Sequence, residues 1–370
     1  MRELLVRGPL PRAELARRLE LSPASLTKST RSLLTRGVIT ENAAPMRDSR
    51  GRPGIPVSVA IDDHQFLGVK ITGDHVFAVR TNAAGRVLDS ARRPLATTEV
   101  DAVATLIVHL VNDLAGVHPV QSVGIGVAGT MDRFDDRVRN NLYLGWHDVP
   151  LAELVRSRTG LPTVISGDVR ALTAGVHWSG PGRELDDFAV VTIGVGIGMG
   201  LVLGGQTVAG VSGGVGRIAH TRVTDSGPPC SLGHRGCAAV YLESAPIVRA
   251  VAYAHDRVDL DLAAVCDLAA AGDPAASRVL SDAGHALGVV LAGLVNTLGL
   301  PALVLAGDGL IVLDHGRPAM NRALAEYLDP DASAPAVHLF ASDFDEWARG
   351  AAVVACQWLL VDPPADRADL

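Results

Sequence analysis

Polar and cationic side chains recur at helical spacing near the start of the chain, and their chemistry suits contact with nucleic acid. Ser25, Lys28, Arg31 and Ser32 fall on one face of a predicted helix, with Thr27 beside them. Hydroxyl, ammonium and guanidinium groups donate hydrogen bonds to base edges and to phosphate oxygens. This face therefore predicts direct contact with a DNA groove.

The elements that would position this face are two short helices separated by residues 20–22. Ser22 suits the N-cap of the second helix, and Pro23 suits its first position. The opposite face of that helix is mostly apolar and carries Leu26, Thr30, Leu33 and Leu34. Residues 9–37 therefore predict a helix-turn-helix whose second helix enters the major groove. An ordinary helical hairpin with a solvated charged face remains the alternative.

A helix-turn-helix usually packs on a preceding helix, and here residues 1–7 are all that comes before it. Leu4 and Leu5 supply a short apolar face for such a helix. Either that helix is short or the start codon lies upstream.

Charge is distributed unevenly along the chain. Residues 1–60 contain eleven Lys or Arg and five acidic residues, a net charge of +6, whereas the whole chain carries −7. Residues 61–370 therefore carry −13. A basic segment on an acidic body is the distribution that phosphate neutralisation requires, because the body does not bind DNA unaided. The charge favours DNA binding over the solvated hairpin.

A cationic loop follows the two helices. VITEN after Gly37 predicts a strand, and PVSVAI at 56–61 predicts its partner. The loop APMRDSRGRPG between them has the composition of the wing of a winged helix, with Arg50 and Arg52 at its tip. Arginine at such a tip suits a narrow minor groove. A flexible interdomain linker is the other interpretation, and the two are compatible.

From residue 66 the pattern changes to α/β. Strands, an amphipathic helix and the glycine turn of SVGIGVAGT are followed by a second set, FAVVTIGVGIGMGLVLGG at 188–205 and PALVLAG at 301–307. Two such sets predict a duplicated fold with a cleft between its lobes, the first over 61–180 and the second over 181–370. The last helix, from about Phe344 to Leu360, is expected to pack back on the first lobe.

Composition excludes several classes of protein. No apolar run reaches the roughly 20 residues of a membrane span, and the start MRELLVRG has no signal-peptide core. Four cysteines in 370 residues are too few for a disulfide framework. A cytoplasmic protein that does not bind membranes is expected.

Six motifs occur in order along the chain: GRP at 51–53, IGVAGT at 125–130, NLYLGW at 141–146, GDVRA at 167–171, TIGVGIGMGLVLGG at 192–205 and GRIAH…CSLGHRGC at 216–237. Through them the chain resembles the ROK family of repressors and sugar kinases, in its repressor branch, over essentially its whole length. The resemblance implies an N-terminal winged helix-turn-helix over 1–60, followed by an α/β two-lobed actin-like fold of the sugar-kinase type.

The kinases of this family begin with D-x-G-G-T, a glycine turn that lets backbone N–H groups approach phosphate. This chain has Lys70 in place of the acid, Thr72 in place of one glycine, and Asp74 where phosphate would lie. We therefore expect no kinase activity and no requirement for ATP. The second glycine turn, 194–198, is intact, and tight packing explains it better than ligand approach.

The resemblance makes Asp168 the vestigial catalytic base, which also accepts hydrogen bonds from sugar hydroxyls in sugar-binding members. Gly167 and Arg170 stand at two asparagine positions of the family, and Arg217 replaces a glutamate. The effector-binding residues implied are Asn141, Asp168, Arg170, Arg217 and His220. A sugar-derived effector with an anionic or phosphorylated group would pair with Arg217 or Arg170.

The family binds zinc with one His and three Cys in the pattern H-x9-C-x-C-x4-C. Here His220, Cys230 and Cys237 remain, and Leu232 occupies the middle cysteine position. His234 lies between the two cysteines and completes a Cys2His2 set for one structural zinc. Two buried free thiols without metal are the alternative. Cys266 and Cys356 lie in apolar helical contexts and are expected in the core.

The sequence thus predicts a ligand-responsive transcriptional regulator, a repressor of sugar or amino-sugar uptake and metabolism genes. Its partners would be double-stranded operator DNA, a small effector, and further copies of itself in a homodimer or homotetramer. Effector binding would change the relation between the lobes and so the spacing of two DNA-binding segments. An active sugar kinase carrying a DNA-binding domain is the alternative, and a constitutive DNA-binding protein whose body only oligomerises is a third.

Overall fold

The computed structural model describes residues 1–41, 46–47, 53–116, 118–132, 136–210 and 215–361. Contacts divide the chain into two compact units. Unit 1 comprises Met1–Glu184 and Phe344–Leu370, and unit 2 comprises Leu185–Asp343. The chain therefore leaves unit 1 after Glu184 and returns to it at Phe344. This division includes residues 1–60, called here the N-terminal segment, within unit 1.

The helices of the described residues are α1 (Arg2–Arg7), α2 (Arg12–Arg18), α3 (Pro23–Thr35), α4 (Val100–Asp113), α5 (Leu151–Thr159), α6 (Asp168–Ser179), α7 (Ala239–Leu242), α8 (Ser244–His255), α9 (Leu262–Ala270), α10 (Pro274–Leu298), α11 (Leu313–Tyr327) and α12 (Phe344–Leu360), with a 3-10 turn at Asp308–Val312. The strands are β1 (Leu10–Pro11), β2 (Ile39–Glu41), β3 (Met46–Arg47), β4 (Pro53–Gly54), β5 (Pro56–Val59), β6 (Gln65–Ile71), β7 (His75–Asn82), β8 (Val87–Pro94), β9 (Val120–Val127), β10 (Thr130–Met131), β11 (Val138–Asn141), β12 (Trp146–Val149), β13 (Thr163–Gly167), β14 (Phe188–Thr192), β15 (Gly198–Leu203), β16 (Gln206–Thr207), β17 (Ala302–Ala306) and β18 (Ala336–Leu339).

Helix α3 begins where the sequence predicts it. The Ser22 Oγ accepts a hydrogen bond from the Ser25 backbone N–H at 3.1 Å, and Pro23 takes the first helical position. Leu26 and Thr30 are buried, and Leu33 and Leu34 pack against the same core. The predicted apolar face is therefore the buried face.

The N-terminal segment also contains a small antiparallel sheet of order β1-β5-β2. The pairing of β2 with β5 agrees with the strands predicted at VITEN and PVSVAI. Strand β1 was not predicted, because two residues between two helices give no periodic signal. The short helix α1 buries Leu4, and Leu5 packs beside it.

The apolar residues of the N-terminal segment belong to a larger cluster of unit 1. Leu26 and Val57 share one apolar cluster with Trp178 of α6 and Val353 of α12. The guanidinium of Arg183 donates hydrogen bonds to the carbonyl oxygens of Leu5 and Val6 at the end of α1. A ring nitrogen of His64 lies 3.0 Å from the carbonyl oxygen of Gly37, just after α3. These contacts hold the segment at several separate points.

The central sheet of unit 1 has the order β13-β9-β6-β7-β8. Strands β6, β9 and β13 are parallel, so their carboxyl ends meet at one edge, where Lys70, Gly126 and Ser166 lie in register. Ligands bind at this edge in open α/β sheets. The edge brings together Lys70 at the end of β6 and Asp168 just after β13.

Helix α12 crosses this sheet in direct backbone contact with its neighbours. A Cβ at Gly68 of β6 would lie 1.9 Å from the Ala348 carbonyl oxygen, and one at Gly124 of β9 would lie 1.9 Å from that of Ala351. Gly350 approaches α6 equally closely, with its ideal Cβ 2.2 Å from the Ala171 oxygen. Only glycine permits such close packing.

Unit 2 repeats the connectivity of unit 1 in a sheet of order β16-β15-β14-β17-β18. In both sheets the first strand is central, two antiparallel strands follow it to one side, and two parallel strands lie on the other. The duplicated fold expected from the two strand-turn sets is thus present.

Helix α10 is the core helix of unit 2, and it is long and apolar enough to cross a membrane by length and composition alone. Of the 18 consecutive residues with the highest mean hydropathy in this helix, 56% are buried inside the structure. It packs against α11 at Gly284 and Gly316, where a Cβ on Gly284 would lie 2.0 Å from the Gly316 oxygen. Its apolar character is accounted for by this core position.

Candidate nucleic-acid interface, ligand site and metal centre

The structure exposes the face of α3 that the sequence selected for DNA contact. Ser25, Thr27, Lys28 and Arg31 are all exposed. The Thr27 hydroxyl donates to the Pro23 carbonyl oxygen at 2.7 Å, which orients its side chain along the helix. Arg50 and Arg52, the predicted tip of the wing, lie outside the described residues.

The cations of this face differ from the three arginines of α2. Arg12 pairs with Glu41, and Arg17 and Arg18 both pair with the buried Glu14. Lys28 and Arg31 have no acidic partner within salt-bridge distance in the part of the chain that the structure describes. Their charges are therefore available to phosphate or base oxygens.

A buried ion pair lies at the edge of the unit 1 sheet where the carboxyl ends of β6, β9 and β13 meet, called here the ligand edge. The Lys70 Nζ donates to the Asp168 Oδ2, with 7% of the lysine side chain and 17% of the aspartate side chain exposed. The Asp168 Oδ1 accepts from the Val169 backbone N–H at 2.8 Å, and the carboxylate sits at the N-terminal end of α6, where the helix dipole favours it. The Lys70 Nζ also lies 4.9 Å from the ring centroid of Trp347 in α12. Both oxygens of the Asp168 carboxylate thus accept a hydrogen bond.

The turn that would cradle phosphate in a kinase is closed by its own side chains. The Thr72 hydroxyl lies 2.8 Å from the Asp74 Oδ1 and 3.0 Å from the His75 backbone nitrogen. The hydrogen bond from Thr72 lowers the pKa of the Asp74 carboxyl below its ordinary value; burial opposes this, and a hydrogen bond and the charge of His75 support it. An ionised carboxylate thus lies within this turn.

The intact glycine turn of unit 2 is explained by packing. An ideal Cβ at Gly194 would lie 1.8 Å from the Asp308 Oδ1, and one at Gly307 would lie 2.3 Å from the Ile193 carbonyl oxygen. The turn after β14 and the turn after β17 therefore touch through their backbones. This agrees with the preference for packing over ligand approach.

The remaining predicted effector residues are divided between the two units. In unit 1, Asn141 is 1% exposed, and its Oδ1 accepts from the N–H groups of Tyr143 and Leu144. Its Nδ2 is buried with no hydrogen-bond partner in the described structure. Arg170 lies half-buried in α6. In unit 2, Arg217 and His220 are both exposed.

The four predicted metal ligands come together in one loop of unit 2. The ligand atoms of His220, Cys230, His234 and Cys237 all lie within 4.8 Å of one another. Tight turns produce this, because the Cys230 N–H donates to the His234 oxygen at 2.8 Å and the Gly233 N–H to the Cys230 oxygen at 2.9 Å. The group can hold a metal ion, and Leu232 is exposed and takes no part in it.

The chemistry of these donors suits zinc. Tetrahedral Zn²⁺ with its usual bond lengths needs ligand atoms roughly 3.4–3.8 Å apart, so adjustments of about 1 Å would close the site. Burial raises the pKa of the Cys230 thiol, but hydrogen bonds from the backbone of Leu232, from Cys237 and from His234 outweigh it and lower that pKa overall. Cys266 and Cys356, by contrast, are buried in α9 and α12, as expected of core cysteines.

Sequence reasoning missed two features of the ligand edge. Lys70 was identified as a departure from the kinase motif, but its pairing with Asp168 was not predicted. Trp347 was not identified at all. These residues are far apart in the sequence, and only the sheet and α12 bring them together. No local pattern signals such a contact.

Comparison with known proteins gives the family of the chain. The model of the ROK family matches residues 66–357. The N-acetylglucosamine repressor of Escherichia coli O157:H7 is 25% identical over 314 residues, which cover 81% of this chain and 77% of the repressor.

Two solved structures extend the comparison. A ROK family transcriptional regulator, a homolog of the E. coli MLC protein, superposes with a TM-score of 0.80 and 24% identity over 97% of this chain and 94% of its own. A ROK family glucokinase from Streptomyces griseus, in complex with glucose and AMPPNP, gives a TM-score of 0.67 and 27% identity over 79% of this chain and 99% of its own. With a family model that matches most of its length, this chain belongs to the ROK family.

Proposed function

We propose that this protein is a ligand-responsive transcriptional regulator that represses genes of sugar or amino-sugar uptake and metabolism. Its kinase-like domain would sense the effector without phosphorylating it. The observation that carries this proposal is the exposed cationic face of α3, with Lys28 and Arg31 unpaired among the described residues. That face stands on a segment packed into unit 1 of a ROK chain.

The N-terminal segment is proposed to be a winged helix-turn-helix. Helices α2 and α3 would form the motif, and β2 and β5 would flank the wing. The glucokinase structure covers 79% of this chain and the regulator structure covers 97%. The family model begins only at residue 66, after the segment. The DNA-contacting residues proposed are Ser25, Thr27, Lys28, Arg31, Arg50 and Arg52.

We propose that the protein has no kinase activity, because of the residues at the ligand edge of unit 1. A catalytic base must take the proton of the sugar hydroxyl, which demands more of the carboxylate than accepting a hydrogen bond from a bound sugar. Here Asp168 would first have to give up its buried pairing with Lys70. The Thr72–Asp74 turn adds a carboxylate where phosphate requires donors. Both changes act against phosphoryl transfer, whereas neither prevents ligand binding.

The effector is proposed to be sugar-derived. The similar repressor is named for N-acetylglucosamine and the similar glucokinase was solved with glucose. In unit 1, the unpartnered Nδ2 of Asn141 offers a buried donor, and Asp168 offers an acceptor for hydroxyl groups. The cation proposed for an anionic or phosphorylated group is Arg170 in unit 1. In unit 2, Arg217 is the cation proposed for such a group, and His220 is proposed beside it as an effector residue.

One structural zinc is proposed at His220, Cys230, His234 and Cys237. Bound there, the ion would be closed by four protein ligands and would tie the loop together without performing chemistry. His220 belongs to both the metal set and the effector set. Metal binding is therefore expected to support the effector response.

A cytoplasmic homodimer or homotetramer is proposed as the working form. Dimeric helix-turn-helix proteins bind two half-sites related by their own symmetry. The operator would then be an inverted repeat.

DNA binding is tested by selecting duplexes from a random library with the full chain at fixed salt, followed by fluorescence anisotropy. We expect an enriched duplex that binds at least about 10³-fold more tightly than unrelated DNA. Lys28→Ala should relax discrimination at one base position by roughly 1–3 kcal/mol. Arg52→Ala should weaken binding most on A/T-rich flanks.

Arg92→Ala is the matched control, because Arg92 is an exposed arginine of β8 outside the N-terminal segment. It should bind within twofold of the parent. If no duplex is enriched, or if Lys28→Ala and Arg52→Ala both bind like the parent, the function assigned to the segment is wrong.

A further inference from the structure

Helix α12 has one end at the candidate ligand site of unit 1. Its first turn places Trp347 with its ring face toward the Lys70 ammonium, at 4.9 Å from Nζ to the ring centroid. The same ammonium pairs with Asp168. The charge of Lys70 is therefore shared between an acceptor of ligand hydroxyls and a side chain of α12.

The other end of α12 is attached to α3. Arg36, the residue that follows α3, donates from Nη2 to the Leu359 carbonyl oxygen at 2.6 Å and from Nη1 to the Leu360 oxygen at 3.4 Å. The last carbonyls of a helix lack partners within the helix, and a cation there is favoured by the helix dipole. The end of α3 thus holds the end of α12.

Between these ends α12 has little freedom to bend. Its backbone touches β6 at Gly68, β9 at Gly124 and α6 through Gly350, at spacings that admit no side chain. Seventeen residues at about 1.5 Å each make a rod roughly 25 Å long. Closely packed elements move as rigid bodies between discrete positions. A displacement at Trp347 should therefore appear at Leu359.

We propose that α12 carries the effector signal to α3, with Lys70 as the residue that senses the ligand. This inference rests on the proposed function. A polyhydroxylated ligand that donates hydrogen bonds to Asp168 competes with Lys70 for the carboxylate. The position of the Lys70 ammonium relative to Asp168 and Trp347 then changes, and α12 moves relative to Arg36. The ligand has this effect because its affinity differs between the two states of the protein, which differ in the position of α12.

The test is a double-mutant cycle on the affinity of the full chain for its selected duplex. Lys70→Met should change the DNA Kd at least fivefold. In an Arg36→Ala background the same substitution should change it less than twofold. Arg156→Met is the control, because it breaks the Arg156–Asp136 pair of unit 1, whose residues lie in α5 and before β11. It should leave the Kd within twofold.

Lys70→Met and Trp347→Leu are called here the input variants, because both change the end of α12 at the ligand site. Trp347→Leu leaves the Lys70–Asp168 pair in place and is usable if Lys70→Met does not fold. It should also shift the Kd at least fivefold, and the shift should likewise vanish with Arg36→Ala. Equal shifts in the presence and absence of Arg36 would overturn the proposal, as would an unchanged Kd in both input variants.

Amide hydrogen exchange distinguishes failure of this inference from failure of the proposed function. Peptides covering the ends of α3 and α12 should exchange faster in the input variants than in Arg156→Met, with no DNA present. If the parent chain selects no duplex, the DNA-binding function fails, and this exchange difference alone decides the coupling. Unchanged exchange in both peptides would refute the coupling whatever the DNA result.

Discussion

Breaking the ion pair between Lys70 and Asp168 should destabilise unit 1 strongly and non-additively. Lys70→Met keeps an unbranched side chain at this position but leaves the Val169 N–H as the one donor to the largely buried Asp168 carboxylate among the described residues. Removing one partner of a buried pair costs about 3–5 kcal/mol. Because 17% of the aspartate side chain remains exposed, we expect the lower value, about 3 kcal/mol.

The double variant Lys70→Met/Asp168→Asn should lose much less. It removes both charges together, so no uncompensated ion remains, and replacement of a buried pair by neutral groups is often close to neutral. We expect a loss of about 1 kcal/mol, which gives a coupling energy of about 2 kcal/mol or more. The double variant should thus be more stable than Lys70→Met.

Tryptophan fluorescence is the appropriate assay, because all four tryptophans of the chain, Trp146, Trp178, Trp347 and Trp358, lie in unit 1. For a unit of this size, a loss of 3 kcal/mol corresponds to a fall in Tm of about 6–12 °C. The control is Arg86→Met, which breaks the exposed Arg86–Asp62 pair and should lower Tm by less than about 4 °C. The reasoning is refuted if Lys70→Met melts like the control, or if the double variant is no more stable than the single one.

Three further outcomes are expected. Coupled ADP-release assays with hexoses and N-acetylhexosamines should show no sugar kinase activity, because Asp168 is paired and the phosphate turn is closed; turnover above about 1 per second would contradict this. Purified protein should contain about one zinc per chain by elemental analysis. His234→Ala should lower that zinc content, whereas the neighbouring Ser231→Ala should not. Equal zinc content in the two variants would exclude His234 as a ligand. Ser22→Ala should weaken hydrogen-exchange protection of α3 by about 1 kcal/mol through loss of its cap, whereas the exposed Ser32→Ala should not weaken it, because alanine has the higher helix propensity; identical exchange in the two variants would show that the cap does not stabilise the helix.

Features with local sequence signals were predictable. The cap at Ser22, the buried face of α3 and the extent of α12 follow from capping and helical periodicity, which depend only on neighbouring residues. The metal group was also accessible, because its ligands lie within one short loop. The duplicated sheets could be inferred from two similar series of strands and glycine turns.

Features that depend on distant contacts were not predictable. The Lys70–Asp168 pair joins residues 98 positions apart, and Trp347 reaches them only because α12 returns to unit 1 after the whole of unit 2. The pairing of β1 with β5 depends on two residues, Leu10 and Pro11, whose own pattern is uninformative. Such contacts are set by the tertiary packing, which a single sequence does not encode locally.

The apolar cluster that the N-terminal segment shares with α6 and α12 limits how this protein can evolve. A fragment that ended near residue 60 would keep the cluster members of the segment itself, Leu26 and Val57 among them, but would lose those of α6 and α12 and would expose apolar surface at that side. A sugar-kinase body that received this segment by recombination would therefore have to present a matching apolar surface. Exchange of operator specificity between relatives would require the buried surfaces of α6 and α12 to be inherited together with the segment. Point substitutions on the exposed face of α3 leave that shared core intact, and they offer the easier route to a new operator.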